Sequence, residues 1–175
     1  MSNFKDSPNF EVHNDYYTPK YAWEWINHLI PENKIIWESC MLNSLKSKSP
    51  QYLTELGHNV IYDTSIDMLL NTPDNYDMII TNPPFETDLK KKILKRLVEL
   101  DKPFILVLNA CNMFTKYIRE IFGDKLQYLQ VINPSKKIQY DKYENHEFIK
   151  TKNCSFYSVF LCYKLDLSPE KLWLD

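Results

Sequence analysis

Asp77-Met78-Ile79-Ile80-Thr81-Asn82-Pro83-Pro84-Phe85 carries an apolar strand straight into a rigid turn, polar at its start and aromatic at its end. Two successive prolines fix φ and remove two N–H donors, leaving their carbonyls to act only as acceptors. The side-chain amide of Asn82 adds one more acceptor oxygen. A planar primary amine fits between such acceptors, with Phe85 stacked on the ring that bears it. The same acceptors draw the nitrogen lone pair out of conjugation, toward a methyl donor. A strand-terminating turn with a core phenylalanine suits these residues as well, and spacing alone leaves both readings open.

Outward from this stretch the pattern alternates helix and strand. Residues 86–100 have the period of an amphipathic helix, with Leu89, Ile93, Leu97 and Leu100 on one face. PFILVL (103–108) reads as a strand buried on both faces. A helix near 112–122, a strand over 126–132, a polar irregular stretch over 133–153 and a long β-rich run over 155–165 follow. A short last helix is expected to hold Leu172 and Trp173. Upstream, residues 1–15 read as a flexible arm, and Thr18-Pro19 opens a helix striped by Trp23, Ile26, Leu29 and Ile30. Strands are expected at 34–38 and 58–62, with a helix over 51–56 closed by Gly57. The fold class predicted is α/β, a mostly parallel sheet with helices on both faces and an antiparallel last strand, in one domain over 16–175. In such sheets ligands lie beyond the carboxyl ends of the strands, here after residues 38, 62 and 81.

Composition narrows the function. The 175 residues are 44% hydrophobic and 25% charged, which excludes a disordered or fibrous chain. A formal net charge of −2 excludes a histone-like basic binder and leaves only a local basic face for nucleic acid. With only two glycines, any function that depends on a glycine-rich phosphate loop starts at a disadvantage. Cys40, Cys111, Cys154 and Cys162 never fall in Cys-x-x-Cys spacing, and His13, His28, His58 and His146 are scattered. Reduced thiols and no metal site are expected. The start lacks an apolar signal core and no run reaches the ~20 apolar residues of a membrane span. A soluble, intracellular or cytoplasmic protein is expected.

Asn82-Pro83-Pro84-Phe85 after a hydrophobic strand resembles the catalytic motif of S-adenosylmethionine-dependent DNA adenine-N6 methyltransferases. Tyr17-Thr18-Pro19 before a helix is similar to the family's Tyr-x-Thr-Pro cofactor motif. Glu38-Ser39 closes a strand where the family has its acidic cofactor turn. Asp63, after Leu56-Gly57-His58-Asn59-Val60-Ile61, resembles the ribose-binding acid, and Asp67-Met68-Leu69 the step that holds the cofactor's adenine amine. Thr-Pro first, cofactor turn second and Asn-Pro-Pro-Phe third is the family's gamma order. Lys102-Pro103-Phe104-Ile105-Leu106 and the segment from Cys154-Ser155-Phe156 to Tyr163-Lys164 look like the small single-domain form of phages and large DNA viruses, and the resemblance spans roughly 15–175. One departure stands out. The cofactor turn, usually glycine-rich, reads Glu38-Ser39-Cys40-Met41-Leu42-Asn43-Ser44-Leu45, and Asn43 is the one replacement that tolerates φ > 0 passably.

The resemblance implies a class I, Rossmann-like methyltransferase fold and transfer of a methyl group from S-adenosylmethionine to adenine N6. Asn82, Pro83, Pro84 and Phe85 would be catalytic, and Tyr17, Thr18, Pro19, Glu38, Ser39, Asp63 and Asp67 would bind the cofactor. The expected partner is DNA, with RNA as the alternative. Lys136, Lys137 and Tyr140 are the expected contacts, because a family loop there lies by the substrate cleft. Tyr143 and His146 either stack on a base or cover the hairpin. Lys90, Lys91, Lys92, Lys95 and Arg96 read as the exposed side of their helix, and Tyr157 and Tyr163 as core or sheet-face residues. No domain is left over to read a target sequence, so a partner chain or homodimer would supply what the loops do not. The rival readings are a degenerate methyltransferase fold acting as a nucleic-acid-binding or partner subunit, and a protein glutamine N5-methyltransferase.

Overall fold

Alternation along the central strands sends successive side chains to two separate apolar layers. Ile80, Ile105, Val107, Phe160 and Cys162 pack on one face of the sheet. Ile79, Phe104, Leu106, Leu108, Leu161 and Tyr163 pack on the other. A strand buried on both faces carries no polar alternation, which is why these runs read as nearly continuous apolar sequence.

In this computed structural model the described residues are 16–41, 46–144, 147–151, 154–169 and 173–174. The expected arm at 1–15, the turn residues Leu42, Asn43, Ser44 and Leu45, and His146 and Leu172 lie outside them. The elements are α1 (Lys20–Ile26), β1 (Ile35–Trp37), α2 (Ser49–Glu55), β2 (Asn59–Ile61), β3 (Met78–Thr81), α3 (Thr87–Leu100), β4 (Phe104–Asn109), α4 (Lys116–Phe122), β5 (Leu129–Pro134), β6 (Asp141–Glu144), β7 (Glu147–Lys150), β8 (Ser158–Tyr163) and β9 (Trp173–Leu174). Seven strands form a sheet in the order β2-β1-β3-β4-β8-β5-β9, and β6 and β7 form a separate hairpin. Pairs β1–β2, β1–β3 and β3–β4 are parallel, whereas β8 runs antiparallel between β4 and β5. The mostly parallel α/β sheet with an antiparallel strand from the 155–165 run, expected from the sequence, is therefore the one observed.

Local sequence explains the helix ends. Glu86 caps α3, its carboxylate accepting from the backbone N–H of Asp88 at 2.8 Å and of Leu89 at 2.6 Å. Gly57 follows α2 with φ +95°, a left-handed turn that a side chain would strain. Ala22, Trp23 and Ile26 of α1 and Leu53 of α2 cover the first face; Ile93, Leu94 and Leu97 of α3 and Ile118 and Phe122 of α4 cover the second. A Lys20–Glu55 ion pair of 2.7 Å joins α1 to α2.

Four expectations are corrected. Pro19, not Thr18, is the N-cap of α1, and no side chain caps it. Residues 123–128 form a 3-10 segment, so β5 starts at Leu129 rather than at 126. The polar stretch 133–153 contains the β6–β7 hairpin, held to the body by a bridge between Tyr17 and Asp141. Trp173, expected in a helix, lies in β9, parallel to β5.

Candidate active site

Asn82 follows β3 directly, and its amide Nδ2 donates to the carbonyl oxygen of Tyr16 at 2.9 Å. That bond fixes which end of the amide faces inward. The remaining oxygen, Oδ1, is buried with no hydrogen-bond partner among the described residues. Close by in sequence to Tyr16, the hydroxyl of Thr18 is the second such atom, on a residue only 3% exposed. Buried polar atoms are nearly always paired, so two orphans on segments that touch mark a place built for a polar ligand.

Phe85 ends the turn inside a cluster of four rings. Its centroid lies 5.1 Å from Tyr16, 5.2 Å from Phe156 and 5.8 Å from Tyr140. Tyr140 is 0% exposed and its hydroxyl is 2.7 Å from Ser158 Oγ. The expected nucleic-acid contact at Tyr140 is thus corrected: the ring shapes the site from within and has no outer face to offer. Lys90, read as exposed, is also corrected. It is 5% exposed, donates to the Phe85 carbonyl at 3.3 Å, and burial lowers its ammonium pKa. Arg96 is likewise engaged, donating to the Met68 carbonyl at 3.2 Å.

The neighbouring strand ends carry the acids. Parallel register sets Trp37 beside Ile79, so Glu38 and Thr81 emerge as neighbours at the carboxyl end of the sheet. Glu38 is 3% exposed and accepts from the Thr81 hydroxyl and from the Cys40 backbone N–H at 3.2 Å. Burial pushes its carboxyl up to about 7. Ser39 is buried beside it. The Cys40 thiol, pushed up to about 12 by burial, donates to Met68 Sδ at 3.7 Å and so ties the turn after β1 to the Asp67 step. Asp67 accepts from the Leu69 N–H at 2.9 Å. Asp63 stands exposed after β2, its Oδ1 accepting from the Ser65 N–H and hydroxyl, which lower its pKa.

The structure brings Thr18, Glu38, Ser39 and Asn82 to one end of the sheet, with Asp63 further out at the β2 edge. Lys136 and Lys137 lie in the connection from β5 to β6, with Lys137 Nζ 4.7 Å from the ring centroid of Tyr157. Tyr157 is 69% exposed and precedes β8, a correction to its reading as a core or sheet-face residue, whereas Tyr163 is fully buried as expected. Tyr16 went unnoticed in the sequence. Its spacing was the available signal: Tyr16, one residue earlier than Tyr17, completes Tyr-x-Thr-Pro with Thr18 and Pro19.

Among the described residues no three His, Cys, Asp or Glu side chains gather as metal ligands, and no helix is long and apolar enough to cross a membrane. No family model matches the chain, and no curated protein matches it by sequence. Solved structures do. A protein from Listeria monocytogenes assigned to the class I S-adenosylmethionine-dependent methyltransferases aligns over 94% of this chain and 66% of its own, at 11% identity and a TM-score of 0.53. Precorrin-6y C5,15-methyltransferase from Geobacter metallireducens aligns over 91% and 97%, at 12% identity and a TM-score of 0.46. An S-adenosylmethionine-dependent O-methyltransferase from Thermotoga maritima aligns over 82% and 64%, at 11% identity and a TM-score of 0.42. The chain thus spans slightly less than two thirds of the first and third of these proteins. What it shares with the Listeria protein is the fold, a Rossmann-like class I methyltransferase architecture.

Proposed function

We propose that this protein transfers a methyl group from S-adenosylmethionine to the N6 amine of adenine in DNA. The observation that carries the reading is the orphaned Oδ1 of Asn82, locked in orientation by the Nδ2 bond to Tyr16. An acceptor oxygen that is desolvated and already aimed costs no reorganisation when a donor arrives. The target amine would donate to Asn82 Oδ1 and to the Pro83 carbonyl, and both bonds strengthen as the nitrogen gains positive charge. Phe85, backed by Tyr16, Tyr140 and Phe156, offers the aromatic wall against which the base, rotated out of the duplex or taken from a single strand, would lie.

The cofactor, when bound, supplies an electrophilic methyl carried by a sulfonium. The residues present fit it in part. The unpaired Thr18 hydroxyl and the exposed carboxylate of Asp63 suit its polar groups. Glu38 holds the turn through one carboxylate oxygen, Oε1, which accepts from both Thr81 and Cys40. With no glycine in that turn, weak cofactor binding is expected.

The deciding experiment is transfer of labelled methyl from S-adenosylmethionine to DNA by the wild type and by Asn82→Ala. Loss of transfer with cofactor affinity retained supports the reading; wild-type activity that survives the substitution within a factor of a few removes Asn82 from it. A second reading, a partner subunit that kept the fold, is favoured by the Cys40–Met68 contact, which joins the two loops meant to flank the cofactor. Calorimetry separates the two, since a partner subunit shows no S-adenosylmethionine binding up to millimolar ligand. A glutamine-containing peptide in place of DNA tests the amide-nitrogen alternative.

A further inference from the structure

Between the start of α2, the end of β2 and the β6–β7 hairpin lies a cavity of about 440 Å³. Met41, Lys46, Lys48, Tyr62, Tyr143 and Phe148 are among the residues that line it. Lys46 Nζ sits 4.1 Å from the ring centroid of Tyr143, and Lys48 Nζ 4.6 Å from that of Phe148. The two rings meet edge to face at 5.1 Å, and Tyr62 is 56% exposed. Among the described residues neither lysine has an ion-pair partner within 4 Å; Lys48 and Lys150 both act electrostatically on Asp141, and Glu147 is exposed on the hairpin.

We infer that this groove takes a segment of single-stranded DNA, with an unstacked base against Tyr143, Phe148 or Tyr62 and its phosphates on Lys46 and Lys48. The inference rests on the nucleic-acid reading of the active site and names where the strand runs. Ammonium groups poised over aromatic faces offer an anion site and a stacking surface side by side, the combination that single strands require. A peptide with acidic side chains would use the lysines and leave the rings idle. A duplex hides its base faces and cannot enter a concave pocket lined by rings.

The groove is joined to the catalytic turn by a short chain of contacts. Phe148 packs edge to face on Tyr17 at 5.5 Å, and Tyr17 is hydrogen-bonded through its backbone to Asp141 at the base of the hairpin. The preceding residue, Tyr16, receives the Asn82 amide and lies against Phe85. Lys142 Nζ, 5.4 Å from the Tyr16 ring centroid, continues the positive charge toward the turn. A strand seated in the groove is thereby led to the Asn82 acceptor. This places recognition on Lys46 and Lys48 in addition to the Lys136 and Lys137 segment.

The test is fluorescence anisotropy of the full chain with a labelled 12-nucleotide single strand of DNA, the same sequence as RNA, and the DNA duplex. Lys46→Glu with Lys48→Glu changes two exposed side chains and spares the core. It should weaken single-strand binding at least tenfold and reduce the slope of log affinity against log salt by about 1.4. Tyr143→Leu should weaken it about five- to a hundredfold with the slope unchanged. S-adenosylmethionine affinity by calorimetry should be the same in both variants. Single-strand binding that ignores the lysine pair overturns the groove while leaving the proposed activity standing. Binding of the duplex alone overturns the groove too, as does loss of S-adenosylmethionine binding in the lysine variant, which would make it part of the cofactor site. If RNA binds more tightly and is lost in the same variants, the groove stands and the substrate becomes RNA. Wild-type protein that binds none of the three removes nucleic acid from the functional reading, and the groove with it.

Discussion

The Asn82 side chain reaches across 66 residues of sequence to donate to the Tyr16 carbonyl at 2.9 Å. One bond thus orients the proposed acceptor oxygen and pins the N-terminal segment over the turn. Asn82→Ala should lower methyl transfer roughly a hundred- to a thousandfold, the cost of removing one aimed transition-state hydrogen bond. The lost bond to Tyr16 should cost about 1 kcal/mol of stability, a fall in Tm of about 2–4 °C. Single-turnover assays beside thermal melts check both. A stability loss without a selective rate effect would make Asn82 a turn residue only.

Phe85 is held by three other rings, so its truncation should act twice. Phe85→Ala should destabilise the fold by about 2–4 kcal/mol through the cavity it leaves. It should also weaken substrate engagement, since a stacked base is worth about 1–3 kcal/mol. Phe85→Leu separates the effects, keeping most of the packing while removing the aromatic face. Urea titrations and KM measurements on both variants read them independently.

The buried Glu38 carboxyl makes stability depend on pH in a definite direction. Its pKa rises on folding from the ordinary 4.5 to about 7, so the folded state holds a proton that the unfolded state has released. Stability should therefore fall as pH rises between these values and level off above 7, by on the order of 3 kcal/mol in all. Glu38→Gln should flatten that slope. Urea unfolding at pH 5 and pH 7.5 of both proteins tests it, and equal slopes would show that the group is ionised in the folded state.

Asp101 shows the opposite sign. It follows α3 with φ +54° and accepts from Lys125 Nζ at 2.8 Å, Lys164 Nζ at 2.6 Å and the Tyr163 hydroxyl at 2.7 Å. These donors hold its carboxyl well below the usual aspartate range. The contribution is complete above the ordinary value of 3.8 and is lost as pH falls below it. Asp101→Asn, which tolerates the left-handed backbone, should lower Tm at neutral pH. The gap to wild type should close progressively in acid.

Where the amino-acid pattern is local, the sequence alone determined the structure. The apolar runs of β3, β4 and β8 specify strands because both their faces are covered, and the 3.6-residue period of 86–100 with Glu86 ahead of it specifies α3. The Asn-Pro-Pro-Phe turn was legible for the same reason, since prolines after a buried strand leave the chain few conformations. The β6–β7 hairpin was not legible, because its half-exposed residues carry no apolar rhythm and Tyr17 anchors it from more than a hundred residues away. Only the tertiary structure decided that Glu38 is spent on Thr81, that Lys90 is buried under Phe85, that Tyr140 backs the site rather than facing solvent, and that Asn82 keeps one oxygen unpaired. Each follows from strand register and packing between distant segments. Neighbouring residues along the chain carry no record of which partner a polar atom will meet there.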